Sequence, residues 1–174
     1  MATFGERMLG TARLNTATYE EVENDAGATG QAAGVVVLAS VAARIGALVH
    51  GGTGGLLVNI VAGLVGWVVW AYLAWWIGTK WLPEPQTNAN PGQLLRTLGF
   101  ASAPGVLNVL GFVPILGGLV RLVVAIWMLV AGVIAVRQAL DYGSTGRAVG
   151  VVAIGWAVQI VILIVLLTLV GVAW

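Results

Sequence analysis

The sequence predicts an all-α fold: an integral membrane bundle of five transmembrane helices behind a short polar N-terminal segment. Three observations predict it. Between Thr97 and Arg137 the chain carries a single charge, Arg121, and so long an apolar run leaves a soluble helix no polar face to show to water. Apolar residues make up 59% of the 174 and charged residues 9%, with a mean hydropathy of +0.97, where soluble domains carry about 25% charged residues. Five separate stretches approach the about 20 residues that a helix rising about 1.5 Å per residue needs to cross a hydrocarbon core.

Residues 1–29 form the polar segment. Thr18 and Glu21 have capping-box spacing, which predicts a helix starting near Tyr19, and Asp25-Ala26-Gly27 breaks it. Phe4, Met8 and Leu9 make a narrow apolar stripe suited to the membrane surface, with Arg7 and Arg13 toward the headgroups; the alternative is a frayed, solvated tail. Glu20, Glu21, Glu23 and Asp25 read as a solvated acidic face. Residues 1–25 lack the basic, then apolar, then small pattern of a cleavable signal, so the first apolar segment is expected to stay as an anchor.

Residues 30–174 form the membrane domain, with spans at 30–49, 56–78, 94–113, 115–137 and 148–173. A glycine-rich turn holding His50 joins the first two. Trp75, Trp76 and Trp81 make an aromatic belt where the second span ends, and Trp174 suits the opposite interface. The third span is the weakest, because Pro104 removes a backbone donor and Gly99, Gly105 and Gly111 soften it. A re-entrant hairpin is the alternative there, giving four spans. Pro114 makes the corner into the fourth. Arg7, Arg13, Lys80, Arg96, Arg137 and Arg147 all fall on one side of the five-span arrangement. That excess sets the N-terminus in the cytoplasm and makes the chain a multi-pass protein of the cell membrane.

Little in the sequence suits chemistry. Past Asp25 the acids are Glu84 and Asp141, both in predicted loops. Coupled transporters and acid-ringed cation pores place carboxylates inside the bundle, so those classes lose weight. The absence of cysteine removes thiolate metal sites and thiol nucleophiles. His50 has no second ligand nearby, and no Gly-x-Ser-x-Gly elbow occurs. Gly51-Gly52-Thr53-Gly54-Gly55 lacks the lysine of a phosphate loop. No enzymatic activity, cofactor or metal is expected. A net charge of +1 gives nucleic acid no electrostatic hold.

The polar residues of the spans are more informative. Arg44, Asn59, Asn108 and Arg121 fall at similar depth in four successive spans. The two arginines either snorkel to the headgroups or together bind an anion, a lipid phosphate or an acidic partner, through their planar donor forks. Gln159 suits an interhelical hydrogen bond. Gly30-x-x-x-Gly34 and Gly146-x-x-x-Gly150 have the spacing that lets helices approach closely, within one chain or in a homo-oligomer.

The run Leu94-Leu95-Arg96-Thr97-Leu98-Gly99-Phe100-Ala101-Ser102-Ala103-Pro104, followed by Gly111-Phe112-Val113-Pro114-Ile115-Leu116-Gly117 and Ala135-Val136-Arg137-Gln138-Ala139-Leu140, resembles prokaryotic members of the Yip (Ypt-interacting protein) domain family. Ala17-Thr18-Tyr19-Glu20-Glu21-Val22 leading to Ala28-Thr29-Gly30-Gln31-Ala32 is similar to their lead-in. The resemblance implies five spans, a cytoplasmic N-terminus and a membrane-organising or adaptor role without chemistry. Eukaryotic relatives bind prenylated Rab-type GTPases in vesicle traffic. Their acidic Asp-Leu-Tyr-Gly-Pro motif is missing here, and Phe100 stands where they often have Tyr, which puts Rab-type GTPase binding in doubt and transfers no GTPase contact.

The expected function is therefore a non-enzymatic membrane scaffold or adaptor that binds lipid or other membrane proteins. An accessory subunit of a larger membrane complex is the alternative. A small-solute transporter or channel, with the third span at Pro104 and Pro114 lining the path, is the less favoured one.

Overall fold

The computed structural model describes residues 2–47, 55–113 and 116–169. Helices account for nearly all the regular structure: α1 (Phe4–Ala12), α2 (Thr16–Asn24), α3 (Ala28–Ala47), α4 (Leu56–Trp76), α5 (Pro91–Phe100), α6 (Leu116–Ala139) and α7 (Thr145–Leu169). A π-helical turn, Ile77–Trp81, prolongs α4, and a 3₁₀ helix, Ala103–Phe112, follows α5. Among the described residues three helices are long and apolar enough to cross a membrane, Ala28–Ala47, Leu56–Trp81 and Leu116–Ala139. The stretch Thr145–Val161 is a shorter apolar helix. Pro114, His50 and Trp174 lie outside the described residues.

The polar segment is folded, and differently from the sequence expectation. Thr3 caps α1 with a full capping box to Glu6. The second helix starts at Thr16 rather than near Tyr19, because the Asn15 side chain accepts from the Ala17 N–H and takes the cap. Leu14 turns the chain between them in the left-handed region, φ 62°, while the Asn15 N–H closes back on the Gly10 carbonyl at 3.0 Å. Phe4 and Met8 do not lie on a membrane surface. They pack on the bundle beside Val22, Ala28, Ala32 and Phe100, and the Phe4 and Phe100 rings sit 6.4 Å apart. Leu9 alone of the expected stripe stays open, at 51% exposure.

The third expected span is two pieces rather than one helix. Asn90 and Gln93 form a capping box with Pro91 in the first turn, so α5 starts there. Pro104 lacks the N–H that would continue it, and the chain tightens into 3₁₀ geometry. The two pieces together run alongside α3 in the same direction. A side chain on Gly99 would meet the Ala32 methyl at 2.7 Å, one on Gly105 the Ala39 methyl at 3.0 Å, and one on Gly111 the Gly46 carbonyl at 3.4 Å. From Ala32 to Gly46 an α-helix rises about 21 Å, while a continuous α-helix from Gly99 to Gly111 would rise about 18 Å. The 3₁₀ rise of about 2.0 Å per residue makes up the difference. Its contacts keep pace with α3 to the last turn.

α4 and α6 flank this pair. The Trp67 indole N–H donates to the Leu95 carbonyl at 2.9 Å, and that of Trp75 to Ala89 at 2.9 Å. Trp75 is thereby half-buried, while Trp76 and Trp81 remain exposed as an interfacial belt requires. α6 ends on Asp141, φ 54°, and the Tyr142 hydroxyl then donates to the Gly78 and Leu82 carbonyls at 2.9 and 2.8 Å, tying the α6–α7 corner to the end of α4.

The α3 contact gives a stability prediction. A methyl group on Gly46 would collide with the backbone oxygen of Asn108, which no side-chain rotation relieves. Gly46→Ala should cost about 1–3 kcal/mol, read as a lower melting temperature in detergent. Gly66→Ala, which meets nothing within 4 Å, should leave it unchanged or raise it.

Candidate functional site

Two places gather the polar side chains. The first is the junction of the α1–α2 hairpin with the bundle. Arg7 is 2% exposed, and a guanidinium without water needs its donors met by protein. Its Nη2 lies 3.0 Å from Glu21 and 2.8 Å from Asp25, and its Nη1 donates to Gln31 Oε1 at 3.0 Å. One side chain on α1 thus holds the last turn and C-cap of α2 and the first turn of α3. The expected headgroup-facing Arg7 is replaced by a buried hub, because two acids and an amide compensate its charge more fully than lipid phosphate reached from the side. Those acids are correspondingly not a free solvated face. Glu21 and Asp25 are held below their ordinary values of 4.5 and 3.8; for Glu21 the Ala2 N–H comes first and Arg7 next, for Asp25 the Arg7 guanidinium comes first.

Arg96 performs a second clamp. It is buried on α5, and its Nε donates to the carbonyls of Val22 and Glu23 at 3.1 and 3.0 Å, with Nη2 on the Glu23 carbonyl as well. A cation against the final carbonyls suits the negative end of α2. The hairpin is further held by the Trp127 indole, which donates to the Ala12 carbonyl at 2.7 Å. The Thr11 hydroxyl donates to the Phe100 carbonyl at 3.3 Å. Glu23 is 5% exposed, and its carboxylate accepts from Gln93 Nε2 at 2.8 Å. It lines a polar cavity of about 430 Å³ together with Glu20, Gln93, Arg137 and Asp141.

The second place is the opposite end of α3, where the sequence-selected residues lie. The Ser40 hydroxyl presses on Gly63 of α4. One turn farther along each of these antiparallel helices stand Arg44 and Asn59, so the register sets them side by side. The Asn59 amide donates to the Gly55 carbonyl at 3.1 Å, a local bond. Asn108 lies on the 3₁₀ helix with its carbonyl over Gly46, and it lines a cavity of about 330 Å³ with Ser40, Gly63, Gly105 and Met128. Arg121 reaches Gly111 from α6, its Nε 3.6 Å from where a side chain there would start. Arg44 is half-buried and Arg121 exposed. The four residues therefore share one level of the bundle. Pro104 is buried at the helix break between the two places, and Gln159 is half-buried on α7.

Sequence reasoning missed the Arg7 and Arg96 clamps. For Arg7 the available signal was the mixed charge of residues 7–25, two arginines ahead of four acids, which is more than a solvated tail needs; no such signal marks Arg96. Among the described residues no three His, Cys, Asp or Glu side chains are grouped so as to hold a metal ion.

The family profile of the Yip1 domain matches residues 15–167, and the chain belongs to that family. No curated protein matches it, nor does any solved structure.

Replacing Arg7 by Met leaves Glu21 and Asp25 without their buried partner. It should cost about 1–3 kcal/mol and raise the protease sensitivity of residues 2–24 while the membrane bundle stays resistant. Because both acids are lowered, the stability they contribute is present at neutral pH and is lost as pH falls through the lowered values. An acid titration of the wild type by circular dichroism should show this loss below about pH 4, and Arg7→Met should show a smaller step, since the Ala2 N–H still holds Glu21.

Proposed function

We propose that this Yip1-family membrane protein is a five-span scaffold or adaptor with a cytoplasmic N-terminus, binding lipid and other membrane proteins without catalysing a reaction. The observation that carries the reading is the α1–α2 hairpin. A polar segment clamped to an apolar bundle by two buried arginines offers partners a folded surface of fixed orientation. A flexible tail does not, and would lose more entropy on binding. The parallel course of α3 and the α5–3₁₀ pair supports five passes, since the pair keeps contact with α3 to its last turn. At the far end, Arg44 and Arg121 on one level of the bundle suit an anionic headgroup, for which guanidinium supplies a planar donor fork.

An accessory-subunit role is the second reading. It is favoured by α4, whose outward face leaves Leu57 76% and Val58 67% exposed with Val61 and Val65 beside them. That face accommodates either lipid or a partner helix.

A tagged full-length chain purified in mild detergent from its native membrane, with mass spectrometry of proteins and lipids, separates the readings. The scaffold reading expects anionic lipid and substoichiometric protein partners; a stoichiometric companion cross-linking to α4 makes it a complex subunit. Arg44→Leu with Arg121→Leu should reduce retained anionic lipid several-fold, and unchanged retention would remove the headgroup role. A reporter fused after Trp174 should read non-cytoplasmic. A cytoplasmic reading would overturn five passes.

A further inference from the structure

We propose that Glu23 is a pH-sensitive latch: its carboxyl, seated in the cavity between α2, α5 and the α6–α7 corner, holds the hairpin closed when protonated and loosens it when ionised.

Glu23 points from α2 into the bundle and is 5% exposed. It is bonded by a neutral amide rather than a cation. Gln93 Oε1 is committed to the Asn90 N–H at 2.7 Å, which fixes the amide so that its Nε2 faces Glu23 at 2.8 Å. The cations around it are engaged elsewhere. Arg7 pairs with Glu21 and Asp25. Arg96 donates through Nε and Nη2 to the backbone carbonyls of Val22 and Glu23. Arg137 donates to the carbonyls of Tyr142 and Gly143 at 3.2 and 3.3 Å. Among the described residues the recorded ion pairs are those of Arg7 and the pair Arg147–Glu84, with none to Glu23. Two further acids face the same cavity, Glu20 from α2 and Asp141 from the α6–α7 corner. Glu20 accepts from Gln138 Nε2 at 3.1 Å. Glu23 is thus a buried carboxyl facing two exposed acids across the cavity, with no cation paired to it among the described residues.

Burial first and Asp141 next push the Glu23 carboxyl up to about 7; Glu20 adds to this, while Gln93 and Arg96 oppose it. The sign follows. With the hairpin undocked, Glu23 is solvated and titrates near its ordinary 4.5. The docked state therefore binds the extra proton between these two values. Glu23's contribution to docking is fully present below about 4.5 and falls as pH rises, levelling above about 7. Hydrogen exchange at neutral pH sits at the end of that window. Small acidifications there tighten α2 against the bundle.

Hydrogen exchange on the full-length chain in nanodiscs tests this, with protection factors corrected for the intrinsic pH dependence of exchange. Protection of the α2 amides, residues 16–24, should fall by up to about tenfold per pH unit from about pH 5 to about pH 7, then level. Glu23→Gln, which keeps the shape and the Gln93 bond, should abolish the fall and hold protection near the acid value. Flat protection in the wild type, or the same fall in E23Q, would overturn the latch. A second readout needs no variant fold: the side-chain carboxyl carbon of Glu23 in ¹³C-glutamate-labelled protein should titrate well above the other glutamates. Titration among them would equally overturn it.

Discussion

A guanidinium cannot stay dry unless protein replaces its water, and the architecture of this chain depends on how Arg7 meets that demand. Its partners come from α2, the α2–α3 turn and α3. Satisfying one side chain therefore folds three consecutive helices together and points α1 inward. Once α1 is in place, Phe4 and Met8 bury against the bundle, the Ala12 carbonyl reaches Trp127, and the end of α2 lies where Arg96 can cap it. Removing two unpaired ions from water would be costly; here the compensation is distributed over two acids, one amide and backbone carbonyls. The result is a polar segment that belongs to the membrane domain.

The bundle itself rests on close approach. α3 and the α5–3₁₀ pair touch through Gly99, Gly46 and Gly111, where backbone meets methyl or backbone. In a membrane no water is released when apolar helices join, so small residues that maximise contact supply the attraction. The 3₁₀ stretch is the geometric cost of Pro104, and it is turned to use: the tighter helix is longer per residue and matches α3 in reach. The level of the four polar residues Arg44, Asn59, Asn108 and Arg121 follows from these same contacts, since each is one turn or less from a glycine contact in this register.

Much of this was legible. Membrane character, the three long apolar helices α3, α4 and α6, and a weak point at Pro104 follow from apolar runs and from glycine and proline positions. The family resemblance is confirmed over residues 15–167. What the sequence hid depends on pairing between distant segments. Glu21 and Asp25 form the same local pattern whether solvated or facing Arg7, and nothing within one turn of Arg96 reveals that its donors meet Val22 and Glu23. Asn15 outcompeted Thr18 as the cap because a three-residue spacing specifies a box only when the helix begins there. The third span read as one helix because apolar composition is blind to 3₁₀ geometry.

Docking of the polar N-terminal segment onto the bundle is tested most directly by a cross-link. Glu20 on α2 meets Gln138 at the end of α6 through an Nε2–Oε1 bond of 3.1 Å, and the chain has no cysteine of its own. With Glu20→Cys and Gln138→Cys in one chain in native membranes, a short bismaleimide should form an intramolecular link in most molecules, leaving the chain monomeric on a denaturing gel. Links that are absent, or that form only between chains, would contradict the docked hairpin and return residues 2–24 to a free tail.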